Sequence, residues 1–174
     1  MVPTLLNEVF LKRDEELNRL IRYAQGMGVS VRFKPSKKDS EFDAEYVTDG
    51  SEITIYTDKN YSKLDKVLAL IHELGHHKAF IKDGRKLDPK VEEALVSEEN
   101  KKVYRKRILD MEIEDSNYWE DVYKDTNCQF KIEKLHKERE FQVWSYETYY
   151  ETGEFPTRKE ISVKKKELKK KYGC

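Results

Sequence analysis

Apolar side chains recur three and four positions apart at Leu17, Leu20, Ile21, Ala24 and Met27, a spacing that predicts an opening helix, capped by Thr4 and ended by Gly26 and Gly28. The period then drops to two. Val29, Val31 and Phe33 alternate with polar residues, as do Ala44 with Tyr46 and Ile53 with Ile55. Asp49-Gly50 supplies the positive backbone angles of a two-residue turn, so Asp43 to Thr57 reads as a hairpin, joined to the first strand by a polar link from Pro35 to Ser40.

From Ser62 the helical period returns. Ser62 and Asp65 form a capping box ahead of Leu64, Val67, Leu68, Ile71 and Leu74, which share one face, and Asp83-Gly84 ends the helix. Asp88-Pro89 is expected to cap a further helix running to about Leu109, through a charged and therefore exposed surface. Asp110 to Asp125, acidic around Tyr118 and Trp119, is the least regular stretch. A long helix is expected from about Asn127 to Tyr150, stopped by Gly153 and Pro156; a second capping box, Thr157 with Glu160, opens a last basic helix. These elements predict an α+β fold: a small antiparallel or mixed sheet packed on the second long helix, followed by a mostly helical C-terminal half. At 174 residues one hydrophobic core is the expectation, so residues 1–174 read as a single domain with 157–174 as a basic helical tail.

Composition adds limits. Lys and Arg together number 34 and so do Asp and Glu, so no global field draws the chain to nucleic acid or membrane, and any such attraction must be local. Cys128 and Cys174 form no paired framework, which favours a reducing compartment. The sequence shows no basic leader with an apolar stretch and no run of about 20 apolar residues, so a soluble, cytoplasmic protein is expected, without membrane contact.

The chemistry lies in His72-Glu73-Leu74-Gly75-His76. Two histidines four apart on a helix project from one face, as two neighbouring positions on tetrahedral zinc require. Glu73 is rotated by about 100° from His72, beside the metal without having to bind it, and is placed to take a proton from activated water. Gly75 leaves room for another backbone or serves packing alone. His77 points elsewhere on the wheel and is expected at the surface.

A catalytic zinc takes three protein ligands and keeps a fourth position for water, so one more ligand is needed. Glu140 is preferred, one turn after His136 and beside the stripe of Ile132, Leu135, Val143 and Tyr146, because a partly buried carboxylate there needs a partner. Arg139 could be that partner instead of a metal. His136 is the only histidine outside the motif region, and Glu92, Glu93, Glu98 and Glu99 compete from the preceding helix.

His72-Glu73-Leu74-Gly75-His76 on an apolar helix, with a distant Glu140-Phe141-Gln142-Val143-Trp144, resembles the ImmA/IrrE-type metallopeptidases of phages and mobile elements. The likeness spans roughly Val29 to Trp144. It implies a compact zincin fold, with two histidines and a glutamate on zinc, and a polypeptide substrate added as a strand at the edge of the sheet, at Ile53 to Tyr56. The separation of His76 from Glu140 and the acidic segment between them depart from the commoner members. A different class stays open: a non-catalytic binding or structural protein in which zinc only stabilises the fold. The lysine-rich tail from Arg158 to Lys171 raises a contact with nucleic acid or an acidic partner, against a solvated helix end as the plainer reading.

Overall fold

The structure is a computed structural model that describes residues 5–35, 44–46, 50–57, 61–84, 86 and 97–174. The Thr4 cap, most of the Pro35 to Ser40 link, the Asp88-Pro89 cap, Glu92 and Glu93 lie outside the described residues, as does the side chain of Glu98. The fold is mixed α+β with helix predominant, and it divides into two compact units: residues 1–85 with 118–129, and residues 86–117 with 130–174.

In the first unit, helix α1 (Leu5–Gly26) ends at Gly28, whose φ of +84° is one that only glycine adopts without strain, and turns into strand β1 (Ser30–Pro35). Strands β2 (Ala44–Tyr46) and β3 (Glu52–Thr57) complete a sheet of order β1-β3-β2. β2 and β3 are the expected antiparallel pair, with Tyr46 opposite Ile53. Gly50 takes φ +76°, the positive angle expected of it, while Asp49 lies outside the described residues. β1 runs parallel to β3, Ser30 opposite Glu52. The expectation that Ile53 to Tyr56 forms an edge is therefore corrected: β3 is the central strand, and β1 and β2 are the edges. Its burial follows, since Ile53, Thr54 and Ile55 are all buried, and Thr54 donates its hydroxyl hydrogen bond to Glu52 at 3.1 Å. Alternation alone does not reveal which strand lies between the other two.

Helix α2 (Lys63–Lys82) begins with the expected capping box: the Ser62 hydroxyl accepts from the Asp65 N–H at 3.1 Å, and the Asp65 carboxylate accepts from the Ser62 N–H at 2.7 Å. It packs against α1, β2, β3 and a later short helix, so more than one of its faces is covered. Leu70, Ile71 and Leu74 are completely buried, and they meet Leu20 and Ala24 of α1, Val29, and the isoleucines of β3 in one core. Covering several faces also buries His77, which is only 2% exposed and not at the surface as its wheel position suggested.

Residues 110–116 and 119–125 are helical, with a turn between them, which corrects the irregular reading. Helix α3 (Glu98–Val103) is capped by Ser97, α4 (Arg105–Ser116) follows, and α5 (Trp119–Asp125) brings the chain back to the first unit. Trp119 and Val122 are buried there, an apolar pair one turn apart that anchors a short helix despite its acidic neighbours. The return is clamped by polar contacts to α1. Buried Glu16 accepts from the Gln129 N–H, and Arg19 donates to the carbonyls of Thr126 at 3.1 Å and Asn127 at 3.2 Å.

The second unit holds α3, α4, α6 (Ile132–Thr152) and α7 (Arg158–Tyr172). α6 ends at Gly153, φ +84°, and the Thr157–Glu160 capping box opens α7 as expected. α6 packs against both α4 and α7, with Ile108, Leu135 and Leu168 buried.

Candidate metal centre

α2 carries His72 and His76 one turn apart on one side, and the structure brings them together: their Nε2 atoms lie 2.9 Å apart and the rings meet edge to face, centroids 4.8 Å apart. Two nitrogens on a tetrahedral zinc at about 2.0–2.1 Å stand about 3.3 Å apart, so a shift of roughly 0.4 Å would seat both on one ion. The donor set suits zinc, whose sites are built from imidazole and carboxylate. Glu73 is 6% exposed, and its Oε1 is 3.9 Å from the His72 Nε2, beyond direct hydrogen-bonding range.

His72 is held from its other side. The Trp119 indole lies 5.0 Å from the imidazole, centroid to centroid, at an angle of 50°, and is itself 2% exposed. Sequence reasoning missed this residue; its only signal was a large aromatic in an acidic run, with Val122 three positions on. The placing of α5 rests further on a surface cluster in which Asp125 accepts from the Tyr23 hydroxyl at 2.7 Å and from the Lys78 ammonium at 2.8 Å. Those bonds, Lys78 first and Tyr23 second, hold the Asp125 carboxyl below its ordinary range.

Glu140, the preferred third ligand, lies on α6 in the second unit. There its carboxylate accepts from the Lys171 ammonium at 2.5 Å and the Tyr172 hydroxyl at 2.7 Å, which together lower its pKa. Arg139 is engaged elsewhere, donating to the Ser116 hydroxyl at 2.9 Å and to the Asn117 side chain. His136 is half-buried on α6, and Glu99 is exposed on α3.

The Glu140 contacts tie the end of α7 to α6 and make that tie pH-dependent. A carboxyl whose folded pKa is depressed stabilises the contact above its ordinary value of 4.5, and this is lost as pH falls through the folded value. Glu140→Gln is expected to speed amide exchange at Lys169–Tyr172 about threefold at pH 7, the modest effect of a partly exposed pair. The variant should also lack the loss of protection, relative to the intrinsic exchange rate, that is expected of the wild type in acid. Protection factors equal to the wild type's at both pH values would refute this.

In comparisons with protein-family models, with curated proteins and with solved structures, no match was found.

Proposed function

We propose that the chain is a zinc-dependent peptidase of the ImmA/IrrE type, built on a zincin-like arrangement of α2 beneath the three-stranded sheet. The observation that carries this reading is the convergence of the His72 and His76 Nε2 atoms to 2.9 Å, with the Glu73 carboxylate beside them on a largely buried helix. The two imidazoles would supply two of the three protein ligands that a catalytic zinc takes, with a third side chain completing the set and the last position kept for water. Bound zinc would supply a Lewis acid that acidifies water toward neutrality.

Glu73 then acts as the proton carrier. It receives a proton from the attacking water and delivers it to the leaving amine, and its burial keeps that proton from bulk solvent. An extended substrate would add as a strand to β1 or β2, the two edges of the sheet.

The test is cleavage of a quenched-fluorescent peptide library by the zinc-loaded chain, with Glu73→Gln as the comparison. The variant is expected to keep one zinc per chain and to lose about 10²- to 10⁴-fold in kcat, the usual contribution of a positioned acid-base group. Equal turnover by Glu73→Gln, or no zinc in the wild type, overturns the reading.

A further inference from the structure

Charge on α7 is sorted by face. Residues 158–172 carry eight basic side chains and two acidic ones, so with 34 of each sign in the chain, the remainder has 26 basic and 32 acidic. The basic helix is thus a local positive field on a chain of zero net charge. At about 100° per residue, Arg158, Lys165 and Lys169 lie within roughly 40° of one another on the helix surface, while Glu160 and Glu167 fall about 160° to 180° from Lys169. The acids face away. Glu160 closes the cap with Thr157, and Glu167 pairs with Lys164 at 3.1 Å.

The basic face is also a shaped surface. Arg158, Ile161, Ser162, Lys165, Lys166 and Lys169 line a shallow groove of about 440 Å³. All four cations are exposed, and among the described residues none of them has a carboxylate partner. Lys165 rests over the Phe141 ring at 5.1 Å, which fixes its direction without neutralising its charge. Ile161 is the one large apolar side chain in the lining, too little for a protein hot spot, and the lining has no aromatic on which an unpaired base could stack. From Arg158 to Lys169 the helix rises about 16 Å, room for roughly five phosphates of one strand at about 3.4 Å each.

We propose that this face of α7 binds the phosphate backbone of duplex nucleic acid, without reading its sequence. Four charge-assisted contacts hold the helix along the duplex, and Ser162 adds a neutral donor. This binding stands apart from the metal site and does not require it.

The experiment is fluorescence anisotropy of the full chain with a labelled 20-base-pair DNA at 50 to 200 mM NaCl, with poly-glutamate of equal charge as competitor. Four phosphate contacts give a log-log slope of about −3.6, so affinity is expected to fall about 150-fold over that range. R158Q/K165Q/K166Q/K169Q is expected to lose at least tenfold in affinity at 50 mM, and each single substitution to reduce the slope by about 1. K102Q/K106Q/K124Q/K131Q, which removes four exposed lysines from elsewhere, should stay within twofold of wild type. The proposal is overturned if the two quadruple variants bind alike, or if poly-glutamate competes as well as unlabelled DNA, which would make the partner an acidic polypeptide.

Discussion

Replacing His72 and His76 together with alanine is expected to lower zinc affinity about ten-thousandfold, with each single replacement costing about a hundredfold. The magnitude follows from the ligands. Structural zinc in small proteins is held with an apparent 10–16 kcal/mol, so each of four positions contributes roughly 2.5–4 kcal/mol, or about two powers of ten or more. The two imidazoles are separable from their buried neighbour. His77 follows His76 directly and is nearly inaccessible, so His77→Ala should destabilise the fold by leaving a cavity while keeping zinc affinity within a few-fold. Competition with a chromophoric chelator measures the four variants and the wild type on one scale. A double variant that binds zinc like the wild type would remove the basis for any metal chemistry on α2.

Trp119→Ala is expected to cost about 3–5 kcal/mol in stability, the range for deleting a large buried aromatic. The indole is 2% exposed and lies against His72, so its loss empties space at the site and frees the imidazole to rotate. Zinc affinity should therefore fall as well, by about 10- to 100-fold, as when a support behind a metal ligand is removed. Urea unfolding followed by circular dichroism gives the first quantity and chelator competition the second. Trp119→Phe should recover most of the stability and part of the affinity, since a smaller ring still fills the face of His72. If Trp119→Ala unfolded at the wild-type urea midpoint, the buried position of the indole would be wrong.

What the sequence made legible were the local features. The Ser62–Asp65 and Thr157–Glu160 capping boxes and the Gly153 stop each place a polar or permissive residue at a fixed offset from an apolar run, and each is present where its pattern put it. The spacing of His72 and His76 belongs to the same class, since one turn of helix decides it. What stayed hidden depended on partners far away in the chain. The sheet order, the burial of His77 and the return of Trp119 are all set by which surfaces meet, and residue periodicity reports only that a surface is apolar. Glu140 illustrates the limit. Its position beside an apolar stripe correctly called for a partner, but Lys171 and Tyr172, more than thirty residues on, left no local sign of being that partner.

Because the first unit is completed by a segment that follows α4, the order in which the chain emerges during translation matters. His72 is made forty-seven residues before Trp119, so a nascent chain exposes the imidazoles and the apolar side of α2 until α5 arrives. A fragment halted after residue 85 should accordingly be a client for chaperones, and the ability to capture metal should mature only once residue 129 has cleared the ribosome.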